Sequence, residues 1–433
     1  MQLKDLVEFC AQAILEVLKF DRPADAVLAQ MLRDPRRKPR LGSRERFAVT
    51  ETVFVVLRKK LLFEAFCLSA PKSAGSRHRR LALLGFPDGG AVLKDVLDDA
   101  ELAWLQACHA VDPYTDAAGL LDRHRHNLPD WLAAVLREQL GEDFWPLVRS
   151  LEQQAALDLR VNALCARPEA VAKELEAAAI PSTPTPYSPW GLRLQGKPAL
   201  HRLAAFERGA VEVQDEGSQL LALLLDARRG EMVVDFCAGA GGKTLALGAN
   251  MRNTGRLYAF DSSAHRLQAL KPRLARSGLS NVYPVAIAHE RDDRVRRLHG
   301  KIDRVLVDAP CSGLGTLRRH PDLKWRQTAA TVAEFVKQQL AILEAAAPLL
   351  KPGGRLVYAT CSLLQAENED VARDFSMRHP EFLPLTVSEV LAGLKVERAT
   401  ELCQGAFLRL WPHRHATDGF FAAVWTKSGQ TLT

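Results

Sequence analysis

Five short apolar segments in the second half of the chain restrict its fold more than any other feature. Each has the length of one buried strand, and helical stretches, including 264–277 and 328–350, separate most of them. This alternation predicts a parallel sheet with helices on both faces. Two later apolar segments lie close together and predict an antiparallel hairpin at the sheet edge. The strand candidates are "EMVVDF" (231–236), "RLYAF" (256–260), "NVYPVAI" (281–287), "DRVLVD" (303–308) and "RLVYAT" (355–360), followed by "AFLRLW" (406–411) and "GFFAAVWT" (419–426) for the hairpin.

The remainder of the 433-residue chain is long enough for two further domains. Its first part shows helical periodicity and predicts an all-helical domain. The next part mixes helices with the strand candidate "LDLRVNAL" (157–164), which predicts a small connecting α/β subdomain, and the proline-rich "PSTPTPYSP" (181–189) predicts an extended surface linker. The predicted domains are 1–126, 127–212 and 213–433.

The net charge of +7 is unevenly distributed. Basic residues cluster at "RDPRRKPRLGSRER" (33–46), "RKK" (58–60) and "RHRR" (77–80). Any one of these runs fits a solvated protein surface, but three in one region favour a polyanionic partner such as RNA. The candidate RNA contacts here are Arg36, Arg37, Lys38 and Arg40.

The eight cysteines are scattered without a C-x-x-C pair, a spacing that fits neither a disulfide framework nor a zinc site. The two "HRH" triplets (124–126 and 413–415) have no carboxylate or thiol at ligand spacing, so no metal is predicted. Charges interrupt the apolar residues at the N-terminus, and no segment approaches the ~18 apolar residues that span a bilayer. We expect a cytoplasmic monomer with no membrane partner.

A glycine-rich turn, "DFCAGAGGKT" (235–244), directly follows the first strand of the predicted sheet. Small residues there let the backbone approach a ligand closely, and the following helix presents free N–H groups. Cys237 occupies a position where a phosphate-binding loop would need glycine. Asp261 ends the second strand, which is the place for a carboxylate that binds two ribose hydroxyls, so an adenosine ligand is predicted. Ordinary turn glycines and a helix-capping aspartate are the alternative.

Two other strand candidates are followed by a cysteine and a serine, in "DAPCS" (308–312) and "TCS" (360–362). Both thiols are therefore expected at the carboxyl edge of the sheet, where ligands bind. Methylases of exocyclic amines carry an Asp/Asn-Pro-Pro-aromatic loop instead of "DAPC", so amine methylation is disfavoured. A thiolate that adds to carbon 6 of cytosine makes carbon 5 enamine-like, and carbon 5 can then attack a sulfonium methyl group. One cysteine so placed is more often a small core residue, but two favour this chemistry.

These motifs resemble the signatures of the RNA cytosine carbon-5 methyltransferases of the RsmB/Nop2/Sun family, over about residues 128–425. The resemblance also includes "QDEGSQL" (214–220) and "HRHATDGFF" (413–421), and "RPADAVLAQMLRD" near the N-terminus resembles the NusB-like domain of the bacterial ribosomal member. It implies a Rossmann-like S-adenosylmethionine methyltransferase domain with a mostly parallel seven-stranded sheet. An all-helical NusB-like domain and a small RRM-like α/β subdomain would precede it.

The resemblance also implies roles for individual residues. Cys361 would be the nucleophile, and Cys311 would assist release of the product. Asp308 would hydrogen-bond the base edge near the cofactor, and Lys243 would lie beside both cofactor and base. The implied cofactor-binding residues are Cys237, Ala238, Gly239, Ala240, Gly241, Gly242, Lys243, Asp261 and Asp308.

Two positions depart from the family pattern. Ala240 stands where the family usually has proline, although a flexible turn should still bind the cofactor. His289 stands where an acidic residue normally approaches the adenine amino group, and a backbone carbonyl is a possible replacement. In "RRHPDLKW" (318–325), phosphate contacts are expected from Arg318, Arg319, His320 and Lys324. Trp325 either stacks on an extruded nucleotide or packs beneath its own loop.

The expected function is therefore methylation of carbon 5 of a cytosine in RNA, with small-subunit ribosomal RNA as substrate and S-adenosylmethionine as cofactor. The same chemistry on transfer RNA is the alternative enzyme. A catalytically idle RNA-binding ribosome assembly factor is the alternative from another class. The presence of Cys361, Cys311, Asp308 and Lys243 argues against an idle fold.

Overall fold

A computed structural model describes residues 1–34, 41–87, 89–115, 119–196 and 198–429. The chain forms two compact units. We call residues 1–154 with 317–329 the helical unit, and residues 155–316 with 330–433 the sheet unit. This division does not coincide with the predicted domain boundaries, which stay predictions. Four predicted RNA contacts lie outside the described residues: Arg36, Arg37, Lys38 and Arg40.

The described part of the helical unit contains helices and no strand, as the periodicity of residues 1–126 predicts. The first helix buries Leu6, Phe9, Ile14 and Val17 along one stripe, which packs against the third and fifth helices. Numbered in chain order, the helices are α1 (Leu3–Val17), α2 (Ala24–Arg33), α3 (Ser43–Arg58), α4 (Lys60–Phe66), α5 (Arg77–Gly85), α6 (Gly89–Val92), α7 (Asp99–Ala110), α8 (Asp122–His126), α9 (Asp130–Leu140), α10 (Phe144–Leu151) and, in the inserted segment, α17 (Leu323–Arg326).

The sheet unit begins with a four-stranded antiparallel sheet in the order β2-β3-β1-β4. Its strands are β1 (Leu157–Val161), β2 (Ser182–Pro184), β3 (Gly191–Leu194) and β4 (Val211–Val213), with α11 (Pro168–Ala177) and α12 (Ala204–Glu207) between them. The prediction that 181–189 is a surface linker is wrong. Its first residues form the edge strand β2, where proline is tolerated because one side needs no ladder hydrogen bond, and Tyr187 and Ser188 are buried.

The second sheet has nine strands, and its main path runs β11-β12-β13-β9-β8-β5-β6-β7, with β10 pairing with β13. The strands from β9 to β7 along this path are parallel, and β13, β12, β11 and β10 are antiparallel. The predicted mostly parallel sheet and its terminal hairpin are therefore confirmed, with β10 and β11 as short additions. The strands are β5 (Met232–Asp235), β6 (Arg256–Asp261), β7 (Val282–Ala286), β8 (Ile302–Asp308), β9 (Leu350–Thr360), β10 (Phe382–Leu385), β11 (Cys403–Gln404), β12 (Phe407–Leu410) and β13 (Phe420–Lys427).

Helices cover both faces of this sheet because successive side chains of a strand point to opposite faces. Val233 and Val357 belong to one buried cluster with Leu220 of α13, whereas Val234 and Tyr358 belong to the opposite cluster. The helices of the sheet unit after β4 are α13 (Glu216–Leu224), α14 (Gly242–Asn250), α15 (Ala264–Ser277), α16 (Asp293–Arg296), α18 (Ala329–Ala346), α19 (Glu369–Arg378), α20 (Val387–Gly393) and α21 (Pro412–His415). None of the described helices combines the length and apolar character needed to cross a bilayer.

Candidate active site

The loop between β5 and α14 is the glycine-rich turn of the sequence. Its backbone is closed by two hydrogen bonds of 2.8 Å, from Gly241 N to the Ala238 carbonyl and from Ala238 N to the Phe260 carbonyl on β6. Gly241 has φ 82°, and a Cβ there would lie 2.1 Å from a Leu270 methyl group, so a larger residue would strain the turn and displace the Leu270 side chain. Gly239 also has a positive φ, and nothing lies within 4 Å of the position its Cβ would occupy. The loop thus offers open space beside a bare backbone.

Asp261 lies at the end of β6 and is almost fully buried. Its carboxylate accepts hydrogen bonds from Gly239 N (2.8 Å) and Ser263 N (2.7 Å), and it pairs with Arg266 at 3.0 Å. The structure therefore gives Asp261 a second task that the sequence does not reveal, which is to fix the glycine-rich turn. A carboxylate oxygen has two lone pairs, so these contacts are compatible with the predicted ribose contact.

Two arginines that no sequence motif marks donate hydrogen bonds to backbone carbonyls of the same turn. Arg273 of α15 donates to the Ala240 carbonyl at 2.6 Å, and Arg160 of β1 donates to the Gly242 carbonyl at 3.1 Å. Glu212 of β4 binds Arg273 through an ion pair of 3.0 Å. The small antiparallel sheet is thus tied to the turn by charge-assisted hydrogen bonds, which are stronger than neutral ones. No motif marks these residues because the contacts join distant parts of the chain.

Burial raises the pKa of two groups below the turn. Burial raises the pKa of Asp235, which is fully buried in β5, to about 7, and its carboxyl accepts a hydrogen bond of 2.6 Å from the Thr244 hydroxyl. Burial, followed by the charges of nearby carboxylates, raises the pKa of the Cys237 thiol well above its usual value. Cys237 is therefore a neutral lining residue rather than a nucleophile.

Lys243 and Asp308 meet at the centre of the site. The Lys243 ammonium, on α14, donates to the Asp308 carboxylate at the end of β8 over 2.7 Å. Burial would lower the pKa of Lys243, but the charges of Asp308 and Cys361 and the hydrogen bond to Asp308 outweigh it, and the pKa is raised. Lys243 is therefore a permanent cation beside Asp308.

The structure brings the two thiols into contact. The Sγ atoms of Cys311, after β8, and Cys361, after β9, are 3.4 Å apart, and both side chains are half-buried. The hydrogen bond to Cys361, followed by burial, raises the pKa of Cys311 well above its usual value. Cys311 is therefore the neutral partner of the pair, because this hydrogen bond and the low polarity both oppose its ionisation.

A glycine makes this close approach of the loops possible. Gly315 N donates to the Cys361 carbonyl at 2.8 Å, and the Gly315 carbonyl accepts from Gly419 N at 2.8 Å. A Cβ on Gly315 would lie 2.1 Å from the Gly419 carbonyl oxygen and 2.7 Å from that of Cys361. The loop that carries Cys311 can pack on the loop that carries Cys361 only without a side chain here.

The segment "RRHPDLKW" belongs to the helical unit. The Lys324 ammonium is buried and donates to the Arg58 carbonyl at 2.9 Å, and burial lowers its pKa to about 7. Trp325 Nε1 donates to the Leu57 carbonyl at 2.9 Å while the ring packs on the helical core, which favours the packed alternative.

These positions bear on the predicted phosphate contacts. Arg318 and Lys324, which lies in α17, are both buried, and this burial does not fit a phosphate contact. Arg319 is half-buried and His320 is exposed, so these two residues stay as proposed RNA contacts.

His289 lies at the position where an acidic residue is expected near the adenine. Its side chain is exposed, and its Nδ1 accepts a hydrogen bond from Arg291 N at 3.1 Å. In the same loop the Asp292 carboxylate accepts a hydrogen bond from Ala288 N at 3.0 Å.

The residues present fit S-adenosylmethionine. The turn leaves open space at Gly239, and carboxylates stand at the ends of β6 and β8, the strands on either side of β5. A carboxylate at the second strand suits ribose hydroxyls, and a bare backbone at the first turn allows close approach of the ligand. Within the described ranges, no three His, Cys, Asp or Glu side chains are grouped as metal ligands.

Comparisons with known proteins identify the family to which the chain is similar. Residues 222–426 match the family model described as 16S rRNA methyltransferase RsmB/F, and residues 128–201 match the ferredoxin-like domain of RsmF/B-like methyltransferases. The chain is 37% identical over 301 residues to a probable ribosomal RNA small subunit methyltransferase B of Synechocystis sp., covering 69% of this chain and 66% of that protein. It is 38% identical over 357 residues to a putative methyltransferase of Mycobacterium tuberculosis, covering 79% of this chain and 72% of that protein.

The chain thus spans about two thirds of the length of these curated relatives. Among solved structures, the crystal structure of PH0851 superposes with a TM-score of 0.77 at 26% identity and covers 99% of both chains. The likeness therefore extends over both units, not only over the large sheet.

Proposed function

Because this chain belongs to the 16S rRNA methyltransferase RsmB/F family, we propose that it methylates carbon 5 of a cytosine in small-subunit ribosomal RNA. The observation that carries this proposal is the 3.4 Å contact between the Cys311 and Cys361 sulfurs at the carboxyl edge of the sheet. Carbon 5 of cytosine needs a nucleophile on carbon 6 before it can accept a methyl group, and a thiol supplies one.

S-adenosylmethionine is the cofactor, and when bound it supplies an electrophilic methyl group. Its proposed binding residues are 237–243, Asp261 and Asp308. Residues 237–243 would surround its methionine end, with the backbone N–H groups at the start of α14 facing the ligand. Asp261 would bind the ribose hydroxyls.

Cys361 is proposed as the nucleophile, whose thiolate forms a bond to carbon 6 of cytosine. The charge of Cys361 contributes to the raised pKa of Lys243, after the larger effects of burial and of Asp308. The raised pKa of Cys311 makes that thiol the poorer nucleophile of the pair. This is the physical reason to assign attack to Cys361 rather than to Cys311.

Asp308 is proposed to bind the base edge and so to orient the ring for attack at carbon 6. Its carboxylate is about one quarter exposed (28%), which leaves it accessible from the cleft while Lys243 holds it at 2.7 Å. The hydrogen-bond acceptor for the base is therefore held in place before the base arrives.

Cys311 is proposed to act after methyl transfer. The carbon 5 proton then leaves to a base, the bond between carbon 6 and sulfur breaks, and the electron pair returns to Cys361. A Cys311 thiol that stays protonated at 3.4 Å can donate a hydrogen bond to the departing thiolate. The two thiols thus divide attack and release.

One denaturing gel tests this division. Cys361→Ala should abolish methylation and give no covalent complex with RNA. Cys311→Ala should permit attack but stall release, so the protein is trapped on RNA as a slowly migrating, denaturant-resistant band. Substrate RNA and cofactor are present in both reactions, and wild-type protein is the control.

The opposite pattern, a trapped complex with Cys361→Ala and none with Cys311→Ala, would reverse the roles of the thiols. Absence of methyl transfer from labelled cofactor to RNA by the wild-type protein would contradict the activity itself. Bisulfite mapping of RNA from a deletion strain would identify the target nucleotide.

A further inference from the structure

A buried carboxylate lies directly behind the two thiols. Glu367 ends the short turn Gln365–Glu367 after the Cys361 loop, and its side chain has no exposed surface. A carboxylate buried in this way is costly unless every lone pair is satisfied. In the described chain, hydrogen bonds from four donors bind it.

The donors come from both thiol loops. Ser312, the residue after Cys311, donates its backbone N–H to one Glu367 oxygen at 2.8 Å and its hydroxyl to the other at 2.5 Å. Ser362, the residue after Cys361, donates its hydroxyl to that second oxygen. One carboxylate therefore joins the two loops one residue beyond each thiol.

Further hydrogen bonds hold the residues around Glu367 in place. Gln339 of α18 donates to its first oxygen at 3.2 Å and also to the Pro310 carbonyl at 3.0 Å. The buried Tyr358 hydroxyl donates to the Glu367 carbonyl at 2.5 Å, and Asn368 donates to the Ser362 carbonyl at 3.0 Å. The Gln339 amide oxygen is buried without a hydrogen-bond partner in the described chain, but the Glu367 carboxylate at the centre of the network is bonded on both oxygens, which favours a rigid arrangement.

The position of this network matters because strand pairing ends before the thiols. The ladder between β8 and β9 extends to Asp308 and Ala359, so Cys311 and Cys361 lie beyond it. Their separation is then set by contacts that cross between the loops, among them the Gly315 hydrogen bond, the Glu367 network and a contact of 3.1 Å between the Ser312 and Ser362 hydroxyls. The negative charge of Glu367 also contributes to the raised pKa of Cys311, after the effects of Cys361 and burial.

We propose that Glu367 is a positioning residue that sets the spacing of Cys311 and Cys361 through Ser312 and Ser362. Its importance for catalysis rests on the proposed function, whereas its effect on thiol spacing does not. Reacting groups displaced by about 1 Å can lose about 100-fold in rate, so a carboxylate that fixes this spacing controls the chemistry without touching the substrate.

Two measurements on Glu367→Gln test the proposal. The substitution keeps the shape but replaces one acceptor oxygen with a donor, which opposes the serine hydroxyls. First, in a Cys311→Ala background, the trapped RNA complex should form about 10- to 100-fold more slowly under single-turnover conditions, while calorimetry finds unchanged cofactor affinity. Second, diamide, which takes two electrons and two protons from a thiol pair, should oxidise Cys311 and Cys361 to a disulfide more slowly in the RNA-free protein.

Matched variants complete the design. Asp370→Asn removes an exposed carboxylate three residues further on and should leave both rates unchanged. Ser312→Ala and Ser362→Ala each remove one donor, should slow disulfide formation, and should act non-additively when combined because they share one acceptor. If Glu367→Gln does not fold, this serine pair provides the same test. Peptide mapping by mass spectrometry measures the disulfide.

An unchanged rate of disulfide formation in a folded Glu367→Gln variant, or in both serine variants, overturns the proposal. Absence of any trapped complex with Cys311→Ala, where Cys361 is intact, contradicts the proposed function instead. The diamide experiment needs neither RNA nor cofactor, so the spacing role of Glu367 is decided separately.

Discussion

Cys311 and Cys361 are alike in sequence context but differ in their surroundings. Each follows a strand and precedes a serine, yet the Lys243 ammonium interacts with Cys361, whereas the carboxylate of Glu367 interacts with Cys311. A cation favours a thiolate and an anion opposes one. These different neighbours, after the hydrogen bond between the thiols and burial, support the proposal that Cys361 attacks while Cys311 stays neutral.

Asp261 supports the first prediction at this scale. Asp261→Ala should weaken binding of S-adenosylmethionine by about 1–3 kcal/mol, because ribose hydroxyls lose an acceptor and the turn at Gly239 loses its anchor. Titration calorimetry measures the change. Asp293→Ala is the matched control, since this aspartate is exposed and forms an ion pair with Arg296 on α16. Equal affinities of the two folded variants would remove Asp261 from the cofactor site.

Asp235 makes stability depend on pH. Burial raises its pKa from 3.8 to about 7, so between about pH 4 and 7 the folded protein holds a proton that the unfolded chain has released. The free energy of unfolding should therefore fall as pH rises through this window, by at most about 1.4 kcal/mol per pH unit.

Asp235→Asn tests this dependence, because asparagine has nearly the same shape and does not titrate. Relative to the wild type, the variant should gain stability as pH rises from about 4 to 7, with no further change above the folded pKa. Urea unfolding at a series of pH values measures the difference. Parallel curves for the two proteins would mean that Asp235 does not titrate in this range.

At the scale of elements, the site is assembled from the carboxyl ends of β5, β6, β8 and β9. Neighbouring parallel strands bring these ends to one edge, and the turn after β5 and the loops after β8 and β9 then cross that edge. This turn and these loops are held by specific hydrogen bonds rather than by the regular ladder of paired strands. Small changes in a loop should therefore affect catalysis more than stability.

Gly315→Ala tests the contact between the thiol loops. The added methyl group would lie 2.1 Å from the Gly419 carbonyl oxygen and 2.7 Å from that of Cys361, so the loops must separate. We expect the rate of methylation to fall at least about 10-fold while cofactor affinity is unchanged, because the cofactor turn is elsewhere. Rate assays and calorimetry on the same protein give both values.

Gly393→Ala is the control for this substitution. Gly393 ends α20, and nothing lies within 4 Å of the position its Cβ would occupy. The methylation rate of this variant should match that of the wild type. A Gly315→Ala variant that is equally active would show that the loops tolerate separation.

At the scale of the whole molecule, the chain divides its tasks between two units. The cofactor turn, both thiols, Lys243 and Asp308 belong to the sheet unit, whereas the basic cluster at 33–46 belongs to the sequence of the helical unit. We expect the helical unit to supply affinity for RNA that does not depend on the target base.

Replacing Arg36, Arg37, Lys38 and Arg40 with serine should lower RNA affinity and reduce the dependence of log affinity on log salt concentration. This prediction rests on the sequence alone, since the four residues lie outside the described residues. Filter binding at several salt concentrations measures the slope, with Cys361→Ala as a variant whose slope should not change. An unchanged slope in the quadruple variant would assign the phosphate contacts to other residues.

Sequence was sufficient for features encoded by local patterns. Strand segments such as 303–308 and 355–360 follow from short apolar segments between helices, and the parallel order follows from their alternation. The positions of Cys311, Cys361 and Asp261 at one edge follow from that order. The sequence predicts a linker at 181–189 because proline-rich segments suit both linkers and edge strands. Only the pairing of β2 with β3 distinguishes these two structures.

The tertiary structure alone decided the contacts between residues distant in the chain. Nothing local in the sequence indicates that Glu367 binds Ser312, that Arg160 holds the turn at Gly242, or that Lys324 is buried against Arg58. A strand pattern determines at which end of a strand a residue lies. The direction of its side chain and the partner that it contacts depend on the loops that pack around it. Hydrogen bonds and burial, which set charge and spacing at the thiols, are properties of that packing.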